Sequence, residues 1–444
     1  MPSNLDFMTP LRNSLSYYRP VAALLLGATL LFVGQGVFLI LTPLKLAEHG
    51  YSTVIISAVG SAYFAGIMTG AWFGDRVVRA FGNVRAYGGF IALIMCAALP
   101  LAFFENAITW AAFRFLHGWA AAGAFLAIES WLHAATPNSW RGRVIGAYTA
   151  LTLVGLGAGQ LLINVFGPAR VQAINMGAML FALSIIPVML SKANAPPLKG
   201  MAHRSPVGIY RHSPVAASGC VAAGLLMGAF WSLGPVFASA AGMSAGGVSV
   251  FMATVISGGL SLVWLIGRIS DRIDRRLVIA LSGAAGCAIC IFIVQFELVT
   301  LARLWPFAFA YGGVIFSLYP LSVSHAADFV LPEEDMLEVT RSLLLANGFG
   351  TAMGPMFAGE AFTLLGQEGF FMSAAVICAG IAFLAIARTT VRPPAAAELR
   401  KPFVHVPETT PAGLSMDPRI EDVQQELAFS QDAETKAEVA SAEG

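Results

Sequence analysis

Twelve long runs of mostly apolar residues dominate the chain. They cover residues 20–43, 54–74, 86–104, 108–134, 143–167, 171–190, 215–240, 247–267, 277–296, 303–327, 339–365 and 369–388. A membrane-spanning helix needs about 20 such residues, and within lipid only a helix or a closed barrel satisfies its own backbone hydrogen bonds. The runs lack the short alternating pattern of barrel strands. The sequence therefore predicts an all-α membrane protein with 12 transmembrane helices.

Two short charged clusters interrupt these runs at equivalent places. Residues 74–79 separate the second run from the third, and residues 270–276 separate the eighth from the ninth. Asp75 and Asp271 are 196 positions apart. Further pairs keep an offset of 195, namely Pro137 with Pro332, Gly155 with Gly350, and Gly159 with Gly354. A constant offset over several elements predicts two pseudo-symmetric six-helix bundles made from one duplicated half.

The repeat and the polar stretches divide the chain into five parts. We expect a cytoplasmic N-terminus at 1–19, an N-terminal six-helix bundle at 20–190, a cytoplasmic inter-bundle loop at 191–214, a C-terminal six-helix bundle at 215–390, and a disordered acidic cytoplasmic tail at 391–444. The first run is too long for the core of a signal peptide, so it is interpreted as a retained helix. From about residue 392 the chain is rich in Pro, Ala, Glu and Ser, a composition typical of disorder.

Composition and charge placement agree with this membrane topology. Hydrophobic residues make up 57% of the chain and charged residues 11%, well below the roughly 25% charged residues of soluble domains. With a cytoplasmic N-terminus, 20 Lys and Arg residues fall on the inner side and three on the outer side. Because basic residues are retained on the cytoplasmic side, both termini are predicted to be cytoplasmic.

The charged clusters also resemble a known signature. Asp75-Arg76-x-x-Arg79 and Gly267-x-x-x-Asp271-Arg272-x-x-Arg275-Arg276 are similar to the motif that major facilitator superfamily transporters carry between helices 2 and 3 and helices 8 and 9. The first copy departs from it, with Ala71 at the leading Gly position and Val78 replacing a Gly. Arg114-x-x-x-Gly118 resembles the fourth-helix motif. Glu129-Ser130-Trp131-Leu132, followed by Arg141-Gly142-Arg143, resembles the bacterial YcaD-type branch.

The resemblance covers about residues 20–390 and implies a transporter of the bacterial inner membrane. By this resemblance, a relay of Asp75, Arg79 and Glu129, with Arg76 on the same helical face as Arg79, would latch helices 2, 4 and 11 on the cytoplasmic side. Asp271, Arg272, Arg275 and Asp328 would form the equivalent latch of the second half. Such latches would hold an outward-open state. The alternative is positive-inside topology with charged side chains that snorkel to the interface.

A few polar residues lie inside the predicted spans and are candidates for substrate or proton binding. Arg114 is the cation deepest within a span, and His117 lies three residues further on the same helical face. The other candidates are Gln35, Gln160, Asn164, Asn347 and Glu360. Each amide can instead form an interhelical hydrogen bond, Arg114 can snorkel to the outer interface, and Glu360 can be solvated there.

The predicted function is secondary active transport of a small organic solute by alternating access, driven by protons. The spacing Gly146-x8-Gly155-x3-Gly159 resembles the start of a motif of drug–proton antiporters, with Gln160 at its Pro position, and slightly favours export. No nucleotide-binding loop is present, so ATP is not the expected driver. The alternatives are a passive facilitator and a non-transporting sensor or scaffold that acts through the tail. We expect a monomer in the lipid bilayer with no enzyme activity, cofactor, metal site or nucleic-acid partner.

Overall fold

The computed structural model describes residues 8–136, 140–166, 171–191, 213–329, 336–391, 403–404 and 410. Across these ranges the chain forms twelve long helices and no strand. They are α1 (Met8–Glu48), α2 (Thr53–Phe81), α3 (Asn83–Ala98), α4 (Ala107–Ala135), α5 (Arg141–Phe166), α6 (Val171–Met189), α7 (Pro214–Ala240), α8 (Ala245–Arg272), α9 (Arg275–Gln295), α10 (Leu301–Ala327), α11 (Met336–Leu365) and α12 (Glu368–Thr389). One short 3₁₀ turn, Leu99–Ala102, continues α3.

Each of the twelve predicted apolar runs is a helix, which confirms the all-α prediction. Eleven of the helices in the described part of the chain are long and apolar enough to cross a membrane. Helix α11 is not among them, because Asn347, Thr351 and several glycines make its middle less apolar. Helix α1 begins at Met8, twelve residues before the predicted run, and its apolar part is Val21–Glu48. The polar N-terminal stretch therefore continues the first span as helix.

The helices pack in the same pairs in each half of the chain. In the first bundle α1 packs on α5, α2 on α4, and α3 on α6. In the second bundle α7 packs on α11, α8 on α10, and α9 on α12. The pairing thus repeats when every helix number is raised by six, as expected for two pseudo-symmetric bundles.

Glycines at equivalent positions allow the closest helix crossings. A Cβ on Gly159 of α5 would collide with the carbonyl oxygen of Val33 on α1. A Cβ on Gly354 of α11 would collide in the same way with the carbonyl oxygen of Leu225 on α7. Small residues let helix backbones approach closely where no hydrophobic effect drives association within lipid. The glycines that keep the offset of 195 therefore have the same packing role in both bundles.

Two side-chain hydrogen bonds join the bundles on one side of the molecule. We call the side that carries the charged clusters 74–79 and 270–276 the hairpin side, and the opposite side the far side. On the far side, Thr53 Oγ1 of α2 lies 3.0 Å from Thr363 Oγ1 of α11. Ser249 of α8 donates a hydrogen bond of 3.1 Å to Asn164 Oδ1 of α5. These contacts hold the bundles together at the far side.

Several predicted segments lie outside the described residues. They include most of the inter-bundle loop at 191–214, most of the tail at 391–444, and both Pro137 and Pro332. Three tail residues are described, and all three are packed against the helices: Phe403 and Val404 contact the hydrophobic core, and Thr410 is fully buried. The expectation of a disordered acidic tail stays a prediction.

Candidate functional site

A buried polar cluster lies inside the first bundle and joins three helices. Arg114 Nη1 of α4 contacts His117 Nδ1 at 3.2 Å, and His117 Nε2 contacts Gln35 Oε1 of α1 at 3.0 Å. The hydroxyl of Tyr63 on α2 donates a long hydrogen bond of 3.5 Å to the same Gln35 oxygen. The Arg114 guanidinium lies 4.0 Å from the centre of the Tyr63 ring. We call Gln35, Tyr63, Arg114 and His117 the arginine cluster.

Helix geometry and glycine packing assemble the arginine cluster. Arg114 and His117 are three residues apart, so their side chains leave α4 on the same face. One residue further, Gly118 approaches the Tyr63 carbonyl so closely that a Cβ would collide with it. This crossing brings α2 against α4 and places the Tyr63 ring beneath the guanidinium. The ring of His117 packs edge-on against Phe38 and Phe181, with centroid distances of 5.5 Å.

Arg114 is a buried cation without an acidic partner in the described structure. Its exposed fraction is 3%, and none of the ion pairs among the described residues includes it. Arg114 Nε and Gln35 Nε2 are both buried, and the described residues give neither atom a hydrogen-bond partner. A cation over an aromatic face gains part of the free energy that it loses on leaving water, but a charge at this depth normally pairs with an opposite charge. In the described part of the chain, the contacts of Arg114 are thus a histidine and an aromatic ring.

The other polar candidates lie in three different environments. Gln160 on α5 and Asn347 on α11 are buried. Among the described residues, neither amide atom of Gln160 has a hydrogen-bond partner, and neither does Oδ1 of Asn347. Asn164 bonds to Ser249 across the far-side contact between the bundles. Glu360 is exposed near the far-side end of α11. Asn164 thus helps to join the two bundles, whereas Gln160 and Asn347 are buried inside one bundle each.

The first charged cluster forms an ion pair within one helix. Asp75 is buried near the end of α2, and its Oδ2 lies 2.8 Å from Nη2 of Arg79, one helical turn later. Arg76 points away from this pair, exposed and 5.1 Å from the ring of Phe73. The sequence expectation joined Asp75 and Arg79 to Glu129. The connection of this pair to Glu129 stays a prediction.

Glu129 is a fully buried carboxylate in the hairpin-side half of α4. It accepts a hydrogen bond of 2.7 Å from the hydroxyl of Tyr148 on α5. A second hydrogen bond comes from the hydroxyl of Thr410 in the tail. A carboxylate inside a membrane protein needs such donors. This arrangement connects α4, α5 and the tail.

The second charged cluster is centred on a buried guanidinium. Arg275 lies between two carboxylates: its Nη2 is 3.2 Å from Asp271 Oδ1, and its Nε is 2.8 Å from Asp328 Oδ2. The side chains of Arg275 and Asp328 are almost fully buried, with exposed fractions of 1% and 4%. Arg272 is exposed on the end of α8. The structure therefore brings together three of the four residues expected in this latch and connects α8, α9 and α10.

The start of α9 has an additional anchor that the sequence pattern did not single out. Asp274 caps the helix, accepting from the Arg276 backbone N–H at 2.9 Å, and its carboxylate also contacts the Arg276 side chain at 2.7 Å. Partial burial acts to raise the pKa of Asp274, but the hydrogen bonds and charge of Arg276 together lower it below the ordinary value. Arg276 Nη1 also donates to the Arg388 carbonyl at 3.1 Å, which fixes α9 to α12.

Some contacts of the candidate residues were missed because they are remote in sequence. Tyr63, Tyr148 and Thr410 each donate a hydrogen bond to a candidate residue. The need for donors near Glu129 could be predicted from its position within a span. Their identity could not, because Thr410 is separated from Glu129 by 281 positions and belongs to a segment with no helical pattern.

The fold and its charged hairpins define a class of transport protein. A model of the Major Facilitator Superfamily matches residues 24–336, more than half of the chain. The chain belongs to this superfamily. It is therefore a multi-pass membrane transporter and not an enzyme.

Its relatives place the chain near one branch of the superfamily. An uncharacterized MFS-type transporter named YcaD from Escherichia coli O17:K52:H18 (strain UMN026 / ExPEC) is 28% identical over 347 residues, covering 77% of this chain and 88% of the relative. An uncharacterized MFS-type transporter of Enterobacter sp. (strain 638) is 26% identical over 379 residues, covering 83% and 94%. Among solved structures, the nucleoside transporter NupG matches with a TM-score of 0.69 at 14% identity, over 84% of this chain and 98% of that one. These relatives support a transporter of the YcaD type, and the structural match shows the fold.

Proposed function

We propose that the protein is a proton-coupled transporter of a small organic anion in the bacterial inner membrane. Its two bundles alternate between a state that is closed on the far side and a state that is closed on the hairpin side. The hairpin side and both termini face the cytoplasm. The reason is that the hairpin side carries 20 Lys and Arg residues, whereas the far side carries three. The observation that best supports an anionic substrate is the burial of the Arg114 guanidinium, which has no acidic partner among the described residues.

The charge of Arg114 favours an anionic substrate. An arginine remains protonated in proteins, and a buried charge without a counter-charge carries a large desolvation cost. The Tyr63 ring offsets part of that cost. A carboxylate or another singly charged anion that binds at Arg114 would offset much of the remainder. The unbonded groups of Gln160 and Asn347 are candidates for contacts with uncharged polar parts of the solute.

His117 couples the anion to a proton. Its Nδ1 accepts from Arg114 and its Nε2 donates to Gln35 Oε1, so the contacts fit a neutral ring. A second proton would place two cations 3.2 Å apart, in contact with the titratable hydroxyl of Tyr63 and the rings of Phe38 and Phe181. An anion at Arg114 removes this repulsion. The proton and the anion therefore bind together and cross the membrane in the same direction.

Coupling to an inward proton gradient favours uptake of the solute. The glycine spacing of α5, in contrast, slightly favoured export. Gly155 and Gly159 lie against the backbone of α1, whereas a Cβ on Gly146 would meet no atom of a neighbouring element within 4 Å among the described residues. These contacts give the two packed glycines a structural role that is independent of transport direction.

The experiment is a binding screen on the purified full-length protein. Acetate, lactate, benzoate and nicotinate are each compared with their neutral amides by thermal unfolding at pH 6 and pH 8. At least one carboxylate, but not its amide, is expected to raise the melting temperature, and more so at pH 6. Arg114→Gln is expected to abolish the rise in melting temperature. His117→Gln is expected to keep a rise in melting temperature that no longer depends on pH.

Each other outcome of this screen has a definite meaning. Equal shifts for a carboxylate and its amide, no shift with any probe, or a shift that survives in Arg114→Gln would overturn the anion site. If a carboxylate raises the melting temperature equally at both pH values and in His117→Gln, the result favours the passive facilitator.

The ion pair of Asp75 with Arg79 on the hairpin side is proposed to control opening of that side. Asp75 and Arg79 lie near the end of α2, the helix that packs against α11 of the other bundle. Asp75→Asn is expected to reduce uptake of the anion identified by the screen at least tenfold while the protein stays in the membrane. Arg76→Gln is the matched control, because Arg76 is exposed. Wild-type uptake by Asp75→Asn would remove Asp75 from the latch.

A further inference from the structure

A groove on the outer surface of the second bundle is separate from the arginine cluster. It has a volume of about 610 Å³ and is lined by α7, α11 and α12. Helices α11 and α12 touch at their far-side ends, where a Cβ on Gly369 would collide with the Ala361 carbonyl. Toward the hairpin side the groove lies between these two helices, and α7 forms its floor. We call it the α11–α12 groove.

The groove opens on the surface that meets lipid. At its rim, Phe349 of α11 is 54% exposed, and Gly380 of α12 is also exposed. Beside the rim, Phe383 of α12 is 76% exposed. Hydrocarbon chains of lipid are as apolar as these side chains, so a large apolar residue is stable there in contact with the bilayer. The face that carries the groove is therefore turned to the membrane.

The groove lies within one leaflet of the bilayer. Its floor runs from Ala217 to Leu225 of α7, which is about 12 Å along the helix axis at about 1.5 Å per residue. The hydrocarbon core of a bilayer is about 30 Å thick. Helix α7 begins at Pro214 on the hairpin side, so the groove belongs to the hairpin-side leaflet.

The lining suits a hydrocarbon chain. Only two of the residues that form it, Ser218 and Ser342, have a polar side chain, and the Ser342 hydroxyl donates to the Glu338 carbonyl of its own helix at 3.0 Å. Apolar cavities exclude water, whereas an acyl chain provides the dispersion contacts that such a lining needs. The volume falls in the range of about 300–1,000 Å³ that accepts a drug-sized molecule, which is enough for one acyl chain.

Basic residues lie at the hairpin-side end of the groove. Arg388 follows Leu384 by one turn on the same face of α12, and Arg341 precedes Leu345 by one turn on α11. Both arginines are partly exposed, and Arg388 takes part in none of the ion pairs among the described residues. Glu338 is the acid of α11 at this level, and the two arginines outnumber it. Basic pockets between membrane helices bind anionic head groups.

We propose that the α11–α12 groove binds an anionic phospholipid of the hairpin-side leaflet. One acyl chain lies in the groove against α7, and the phosphate lies at Arg388 and Arg341. The chain completes the packing of α7 between α11 and α12, and the arginines select a lipid with a net negative charge. The anion site at Arg114 is in the other bundle, so either site can fail while the other stands.

The site is located by photocrosslinking of the full-length protein in liposomes. Phosphatidylglycerol carries a diazirine near the end of one acyl chain, and peptide mass spectrometry measures the label on residues 217–225. Most of α7 is covered by other helices, so a lipid chain reaches these residues through the groove. Their labelling is expected to exceed that by phosphatidylcholine with the same chain at least about fivefold, the factor that the attraction of one basic residue provides.

Three outcomes of the crosslinking would overturn the proposal. Equal labelling of residues 217–225 by the two lipids would remove the selection by charge. Absence of label on these residues would remove the acyl chain from the groove. A dimer with unlabelled α7 would show that a second copy of the chain covers the groove instead.

A groove-filling variant tests the position of the acyl chain. Gly380→Leu adds a side chain to the groove lining, and its Cβ would meet no described atom within 4 Å. It is expected to lower the labelling of α7 at least about tenfold, because it displaces several buried methylene groups of the lipid. Gly89→Leu on α3 is the matched control, since Gly89 is also exposed and its Cβ would likewise meet no described atom. Equal labelling of the two variants would contradict the position.

A charge variant tests the head group and does not depend on the groove-filling variant. Arg388→Gln keeps the backbone carbonyl that accepts from Arg276 and is expected to lower labelling by phosphatidylglycerol about fivefold, with labelling by phosphatidylcholine unchanged. Arg268→Gln, an exposed position near the hairpin-side end of α8, is the control. The same labelling ratio of the two lipids in both variants would exclude Arg388 from the site and overturn the assignment of the phosphate.

Discussion

At the residue scale, the structure is governed by a few charges that are buried in pairs or clusters. Arg275 contacts both Asp271 and Asp328, and Glu129 is bonded to two hydroxyl groups. Arg114 differs from them because the described residues offer it an aromatic ring and a histidine but no acid. This difference separates the charges that maintain the structure from the one that we assign to substrate.

The buried pair of Arg275 and Asp328 gives a prediction about stability. Arg275→Met is expected to lower the free energy of unfolding by about 3–5 kcal/mol, because it removes the guanidinium between two carboxylates. The double variant Arg275→Met with Asp328→Leu is expected to recover most of the loss, since a buried ion pair can be replaced by apolar residues at little cost.

A matched double variant serves as the control for this prediction. Arg275→Met with Asp271→Asn is expected to recover less, because the side chain of Asp271 is 36% exposed and already solvated. Chemical unfolding in detergent measures all four proteins. Equal recovery by both double variants would contradict the dominant role of the Asp328 contact.

Residues close together in sequence could be predicted as neighbours, whereas distant ones could not. The spacings of Arg114 with His117 and of Asp75 with Arg79 each fit one helical turn, and the structure places each pair in contact. Asp271 and Arg275 are also in contact, across the break between α8 and α9. The partners of Glu129 come from α5 and the tail. A single sequence contains no signal that links a threonine at 410 to a glutamate at 129.

At the scale of the helices, apolar length and glycine spacing determined most of the architecture. The apolar runs predicted where helices occur because lipid leaves few alternatives for the backbone. The constant offset between Gly159 and Gly354 predicted equivalent crossings, and both glycines lie against a carbonyl of the first helix of their bundle. The early start of α1 at Met8 was not predicted, because its first residues have no apolar pattern.

The glycine crossings give a prediction for α5. Gly159→Ala is expected to destabilise the protein by about 1–3 kcal/mol, because the new methyl group would overlap the Val33 carbonyl. In the same helix, a Cβ on Gly146 would meet no neighbouring atom within 4 Å in the described part of the chain. Gly146→Ala is therefore expected to be neutral or slightly stabilising, since alanine favours helix over glycine by about 0.5–1 kcal/mol. Thermal unfolding compares the two variants. Similar melting temperatures would show that the α1–α5 crossing tolerates a side chain.

At the scale of the whole molecule, the bundles are held together on the far side. The hydrogen bonds of Thr53 with Thr363 and of Ser249 with Asn164 close the far side. On the hairpin side, Phe403 bonds to the second bundle and Thr410 to the first. Alternating access requires that the far-side contacts break while the hairpin side closes, so the two sides must move in opposite directions.

The most direct test is a pair of spin-label distance measurements on the full-length protein in liposomes, after replacement of the native cysteines. One pair, Ile108→Cys with Ala302→Cys, reports the far side, and the other, Leu190→Cys with Thr390→Cys, reports the hairpin side; all four positions are exposed. Distances are recorded at pH 6 and pH 8, with and without the carboxylate panel. Alternating access predicts two populations on each side, with the far-side distance longer whenever the hairpin-side distance is shorter. A single population on both sides, unchanged under every condition, would contradict it.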